Sequence, residues 1–150
     1  MRHELTELTS ALGITSVFVT HDQTEAMSMS DRIAVLNGGH VEQYDAPETI
    51  YHAPSTKFVA RFIEKSNWLS DTEMFRPEAA TQTSIDAALH FELPVQSVQY
   101  LGSNYEITVP YQYVIWTLHS RQKTMPGEML SVYIDSNQII TFQKKEVLSA

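Results

Sequence analysis

The sequence predicts an α/β fragment followed by an all-β barrel of OB type. Residues 1–63 mix helical and strand-like patterns, whereas residues 87–145 consist almost wholly of strand-like runs. A polar stretch rich in Ser, Thr, Asp and Glu separates them. We therefore expect a first lobe at residues 1–63, a linker at 64–86 and a β domain at 87–150.

The chain is predicted to begin with a helix. Leu5, Leu8 and Leu12 recur at the spacing of one helical stripe, and Gly13 follows where a left-handed residue ends many helices. The next segment, 14–20, contains Val17-Phe18-Val19 and few charges, which is typical of a strand buried on both faces.

A second helix is predicted after this strand. Asp22 and Glu25 have the spacing of a capping box, in which each side chain bonds a free backbone N–H, and such a cap contributes about 1 kcal/mol. The same residues, like Asp45 and Glu48 further on, are also spaced as a paired acid and base. Capping explains both pairs without a substrate.

The rest of the first lobe is predicted to be a hairpin and two short helices. Asn37-Gly38-Gly39 provides a tight turn between two apolar runs. Asp45 is expected to open a helix that Pro54 ends, and Ser55 to cap the last one. One buried strand and one hairpin cannot make a covered parallel sheet, so this lobe is expected to be the back end of an incomplete α/β domain.

The second lobe is predicted to hold five short strands in under 65 residues, which favours a small OB-type barrel or a compact sandwich. Residues 105–115 alternate apolar and polar side chains and are expected to form one long strand. Pro110 lies within it, and we place this residue at an edge, a bulge or a bend because it lacks the N–H of a central strand.

Composition excludes several classes of protein. The chain has no cysteine, so disulfide scaffolds, thiolate metal sites and cysteine nucleophiles are excluded. The net charge of −8 repels phosphate backbones, which makes nucleic acid a poor partner. No apolar run approaches the roughly 20 residues that cross a bilayer, and we expect neither membrane insertion nor a secretion signal.

Metal and base-stacking sites are not favoured either. No two of the six histidines are four residues apart, so no metal site is predicted. Tyr111, Tyr113 and Trp116 have the side chains that stack bases in OB folds. The acidic charge around them favours a barrel core or a protein interface instead.

The segment Phe18-Val19-Thr20-His21-Asp22-Gln23-Thr24-Glu25-Ala26-Met27 resembles the switch-histidine region of ABC transporter ATPases, in particular the importer subclass. The resemblance continues through Ser30 to Leu36, Gly39 to Gln43, Ala46 to Tyr51 and Phe58 to Ile63. Arg76-Pro77-Glu78 resembles the entry to the family's regulatory domain, and residues 95–109 are similar to its TOBE domain, an OB fold.

The resemblance implies that residues 1–63 are the end of a P-loop NTPase domain and that His21 is its catalytic residue. His21 would donate a hydrogen bond toward the γ-phosphate of ATP, because phosphoryl transfer rests on positioning and charge stabilisation. The implied parent binds ATP and Mg²⁺. It forms a homodimer that drives transmembrane permease subunits from the cytoplasmic face of the plasma membrane.

The chain departs from the family in what it lacks. The phosphate loop, the Walker B carboxylates and the signature motif are absent, so we expect no cofactor-binding residues and no ATP hydrolysis by the chain alone. Glu64 also stands where the family usually has Gly after Phe-Ile. We expect a truncated gene or a fragment of a longer subunit.

Two other interpretations remain open. The chain is alternatively a stand-alone module whose OB-like lobe binds a small anion or a protein without enzyme activity. A chain without most of its sheet also exposes apolar faces, so it is alternatively a domain-swapped homodimer.

Overall fold

A computed structural model describes residues 2–86 and 88–144, without the side chain of Arg2. The chain divides into two compact units between Glu64 and Lys65. The first unit contains, in order, α1 (Arg2–Leu12), α2 (Gln23–Met29), β1 (Ile33–Asn37), β2 (His40–Asp45), α3 (Pro47–His52) and α4 (Lys57–Phe62).

Helix α1 ends as predicted at Gly13, which has φ +62°. The N–H of Gly13 donates to the carbonyl of Ser10 (3.3 Å) and that of Ile14 to the carbonyl of Thr9 (3.1 Å), which is the Schellman pattern. The leucine stripe of this helix is exposed. Its apolar face therefore has no cover within the described part of the unit.

The predicted strand at residues 14–20 is not formed. The segment has no regular secondary structure, and Val17 and Val19 are 89% and 96% exposed. The prediction was wrong because a buried strand needs neighbouring strands on both sides. The described strands of the first unit, β1 and β2, pair with each other.

The predicted hairpin is confirmed. Strands β1 and β2 are antiparallel, and the turn residues Gly38 and Gly39 have φ of +55° and +81°. One face of the hairpin packs against α3 and α4 to form the core of the unit, which consists of Ile33, Val35, Ile50, Val59 and Ile63. The hairpin thereby organises both C-terminal helices.

The predicted caps of α3 and α4 are corrected. The N-cap of α3 is Ala46, without a side-chain bond, and Asp45 instead accepts a hydrogen bond from Gln43 Nε2 (3.0 Å) at the end of β2. The N-cap of α4 is Thr56, whose hydroxyl accepts the N–H of Val59 (3.2 Å). The residue before it, Ser55, is used by its own N–H, which donates to Gln43 Oε1 (2.8 Å).

The second unit is built from antiparallel strands. These are β3 (Asn67–Trp68), β4 (Glu73–Phe75), β5 (Ala80–Thr81), β6 (Ala88–Pro94), β7 (Ser97–Tyr100), β8 (Tyr105–Tyr111), β9 (Val114–Ser120), β10 (Met129–Asp135) and β11 (Ile140–Thr141). They form three sheets in the orders β5-β10-β6, β11-β4-β3 and β7-β8-β9. Residues 64–86, which composition assigns to a linker, thus contribute three short strands. The unit is a β domain, and no sheet closes on itself within the described residues.

The long strand predicted over residues 105–115 is a hairpin instead. Strands β8 and β9 meet at Gln112 and Tyr113, and Gln112 adopts φ +51°. The alternation of apolar residues runs through this turn, so the pattern alone does not reveal it. Pro110 lies beyond the last β8 residue that pairs with β7, Thr108, and its missing N–H costs no bond to that strand. The predicted edge position of Pro110 is confirmed.

The core of the second unit is aromatic. Trp116 is fully buried, lies 4.1 Å from Tyr111 in a stacked arrangement and contacts Phe75 and Phe91 edge-on. Its Nε1 donates to the carbonyl of Trp68 (2.9 Å). This cluster fixes strands of all three sheets to one another. None of the helices described in either unit is long and apolar enough to cross a membrane.

Candidate functional site

The candidate catalytic residue, His21, lies on an exposed turn directly before helix α2. It follows the apolar segment 14–20, which has no regular secondary structure where a strand was expected. The imidazole is therefore presented to solvent beside an uncovered apolar surface. It is not part of a closed interior.

The turn that carries His21 is held by hydrogen bonds on both sides of the histidine. Asp22 Oδ1 accepts the N–H of Glu25 (3.1 Å), which confirms the predicted cap of α2. The hydroxyl of Thr20 donates to Glu25 Oε2 (2.8 Å), and its oxygen accepts the N–H of Asp22 (3.0 Å). The Thr20 hydroxyl thus links the Glu25 carboxylate to the backbone N–H of Asp22, the group that Glu25 bonds directly in a capping box. The carboxylates of Asp22 and Glu25 act as structural groups, as capping predicts.

Two residues of this site were not identified from the sequence. The strand predicted over residues 14–20 ends at Thr20, and the sequence pattern predicts no role for Gln23. The side chain of Gln23 bonds the backbone at Phe62 and Glu64. A threonine two residues before the capping Asp22 is a usable local signal, whereas a bonding partner about 40 residues away leaves no signal in the sequence.

The chain does not provide a phosphate cradle. Its five glycines lie in separate turns, at positions 13, 38, 39, 102 and 127, and none belongs to a glycine-rich loop before a helix. The residues that the structure describes also contain no group of three or more His, Asp or Glu side chains able to hold a metal ion. The residues present therefore do not fit ATP or Mg²⁺ by themselves.

The aromatic residues of the β unit do not form a stacking platform. Trp116 is buried and Tyr111 packs on it, while Tyr113 is fully exposed at the tip of the β8–β9 hairpin. Tyr100 is exposed as well, but exposed rings on an acidic unit lack the basic groove that follows a nucleic acid backbone. The structure agrees with a core role for Trp116 and Tyr111.

Two carboxylates of the β unit have perturbed acidity. Hydrogen bonds from Ser131 and then His90 hold the pKa of Glu92 below its usual value. A hydrogen bond from the hydroxyl of Thr124 (2.7 Å), followed by one from the N–H of Met125 (3.1 Å), lowers the pKa of Glu128. Both groups are exposed and stabilise local turns or strand pairs.

No protein-family model matches the chain, but curated proteins do. The spermidine/putrescine import ATP-binding protein PotA of Borreliella afzelii (strain PKo) is 34% identical over 172 residues, covering 97% of this chain and 50% of that protein. The protein of the same name from Clostridium acetobutylicum is 34% identical over 175 residues, covering 98% and 49%. That of Bacillus thuringiensis (strain Al Hakam) is 41% identical over 109 residues, covering 69% and 33%.

The chain spans about half the length of the curated relatives it matches. The segments quoted above, from the His21 turn through α4 and into the β unit, lie within the shared part because nearly the whole chain is aligned. The chain thus belongs to the family of ABC importer ATP-binding subunits, and it corresponds to the C-terminal part of such a subunit.

Proposed function

We propose that this chain is the C-terminal part of an importer ATPase in which His21 orients the γ-phosphate of ATP and the attacking water. The nucleotide and Mg²⁺ are held by the remaining half of the subunit, because the described residues form no phosphate cradle. This chain supplies one imidazole hydrogen bond and the turn that holds it. In the full-length subunit, hydrolysis is coupled to solute uptake.

The observation that carries the proposal is the exposure of His21 on a turn fixed by Thr20, Asp22 and Glu25. An imidazole held in place but open on its free side is arranged to meet a group from elsewhere. The apolar segment 14–20 beside it is uncovered, which supports assembly with further strands of the same domain.

We assign the second unit to a TOBE-type regulatory domain with an OB-like barrel. The antiparallel strands, the aromatic core around Trp116 and the identity with the relatives through this region support the assignment. The domain contributes to homodimer contact and regulation in the parent. We propose that residues 1–63 are the end of the nucleotide-binding domain and that the regulatory domain comprises residues 87–150 together with the three short strands of the segment 64–86.

We place the parent at the inner face of the plasma membrane, bound to permease subunits that form the transport path. The relatives named above import spermidine and putrescine, so polyamines are the first solutes to test.

The proposal is tested by complementation. The N-terminal half of the Clostridium acetobutylicum relative is produced together with this chain, and ATP hydrolysis is measured for each half and for the mixture. We expect turnover from the mixture and none from this chain alone. A stand-alone binding module would give no turnover with the added half and no stable complex with it in size-exclusion chromatography.

A further inference from the structure

The side-chain amide of Gln23 uses both of its polar groups on one short stretch of backbone. Its Nε2 donates to the carbonyl of Phe62, and its Oε1 accepts the N–H of Glu64 (2.8 Å). Gln23 is the first residue of helix α2, and its partners lie 39 and 41 residues further along the chain. The two bonds join the start of α2 to the end of α4.

The groups that Gln23 bonds lie at the C-terminal end of helix α4. The helix ends at Phe62, and the N–H of Ile63 still bonds the carbonyl of Val59 (3.0 Å). The last carbonyls of a helix point away from it and need other donors. Glu64 follows with φ +54°, an uncommon conformation for a residue with a side chain. The amide of Gln23 is matched to this helix end, where it satisfies one acceptor and one donor.

Gln23 also adjoins the turn that carries His21. His21 is two residues before Gln23, and the intervening Asp22 caps α2 while its own N–H donates to Thr20. A displacement of Gln23 therefore moves the whole turn. On the other side, Glu64 is followed by Lys65, the first residue of the second unit, whose carbonyl accepts a hydrogen bond from Arg76 Nη1 (3.2 Å).

We propose that Gln23 is a positioning residue that ties the His21 turn to the point where the chain leaves the first unit. A change in the course of the backbone at Glu64 is then transmitted to the imidazole through this side chain. The functional meaning of the coupling rests on the proposed role of His21, but the coupling itself does not.

The test uses nuclear magnetic resonance on the 150-residue chain, so it needs no ATP hydrolysis. In Gln23→Ala, we expect the amide hydrogen of Glu64 to exchange at least about tenfold faster and the ring signals of His21 to shift. In Gln23→Glu, which keeps an acceptor for the Glu64 N–H but loses the donor to Phe62, exchange at Glu64 should stay close to that of the wild type. The control Thr24→Ala, at an exposed neighbouring position, should change neither signal.

A second readout covers the case in which Gln23→Ala perturbs the fold of the isolated chain. In the complemented ATPase, the variant should lower kcat while leaving KM for ATP within about twofold, and Gln23→Glu should restore part of kcat. Unchanged exchange at Glu64, or faster exchange without a shift of the His21 signals, would overturn the coupling. If Gln23→Ala changes none of these signals while His21→Ala still lowers ATP turnover, this inference is contradicted and the proposed function of His21 stands.

Discussion

The side-chain amide of Asn67 pairs with the backbone of Thr117 as a strand residue would. Asn67 Nδ2 donates to the Thr117 carbonyl and Oδ1 accepts the Thr117 N–H, both at 2.8 Å. Asn67 is buried, and Thr117 lies in the middle of β9. The amide therefore satisfies a donor and an acceptor on the edge of β9 that faces away from β8.

Replacing Asn67 by Ala should lower the free energy of unfolding of the second unit by about 2 kcal/mol, because two partly buried backbone groups lose their partners. Asn67→Asp should be at least as harmful, since a carboxylate cannot donate to the Thr117 carbonyl. Chemical denaturation followed by tryptophan fluorescence measures the effect, because Trp116 and Trp68 lie in this unit. Asn137→Ala, at an exposed position, is the matched control and should change stability by less than about 0.5 kcal/mol.

Because segment 14–20 is uncovered, substitutions there should impair assembly with the N-terminal half without changing the stability of the isolated chain. Val17→Asp combined with Val19→Asp should leave thermal unfolding of the chain unchanged, because both side chains are almost fully exposed. The same pair should abolish association with the N-terminal half of a relative, since two carboxylates cannot be buried in a sheet. Analytical ultracentrifugation of the mixture tests this. Tyr113→Asp, at the exposed tip of the β8–β9 hairpin, should assemble normally, and normal assembly of the double variant would refute the sheet-completion argument.

The hairpin turn of the first unit sets a conformational prediction. A Cβ at Gly38 would meet no atom within 4 Å, so the cost of Gly38→Ala comes only from φ +55°. We expect Gly38→Ala to lower the free energy of unfolding by about 1 kcal/mol and Gly38→Asn to lower it by less, because Asn tolerates the left-handed region. Amide exchange of the β1 and β2 residues measures both variants. Equal stability of Gly38→Ala and wild type would show that the turn changes conformation to accept the side chain.

The lowered pKa of Glu128 predicts a pH dependence with a definite sign. The folded chain binds this proton less readily than the unfolded chain. The carboxylate therefore stabilises the fold at pH values above its usual pKa of 4.5, and this contribution is lost as the pH falls through the lowered pKa of the folded state. Thr124→Val, which removes the first hydrogen bond, should raise the pKa of Glu128 toward its usual value. Carbon-13 titration of the Glu128 carboxyl is the measurement, and an unshifted pKa in the variant would contradict the assigned cause.

The helices, hairpin and β-rich second half were predictable because their signals are local. Asp22, Gly13 and the Asn37-Gly38-Gly39 turn act within a few residues of themselves, and the structure has each in its predicted role. The strand at 14–20 failed because burial depends on strands that this chain does not supply. The turn at Gln112 failed because the apolar alternation continues through it.

Long-range contacts of the site were beyond the sequence for the same reason. The bonds of Gln23 to the end of α4 and of Asn67 to β9 join residues 39 to 50 positions apart, and amide side chains carry no pattern that names such partners. The family resemblance implies a catalytic role for His21, and the capping pattern predicted the Asp22 bond that helps to hold its turn. The structure adds Thr20 and Gln23 to that turn.

The central claim, that His21 acts on ATP held by the rest of the subunit, is tested most directly by turnover in a complete subunit. His21→Ala is compared there with His40→Ala, which removes an equally exposed histidine from the β1–β2 hairpin. The account predicts that His21→Ala lowers kcat for ATP hydrolysis at least about 100-fold with nucleotide affinity nearly unchanged, and that His40→Ala has no comparable effect. Turnover of His21→Ala within about twofold of the wild type would contradict it.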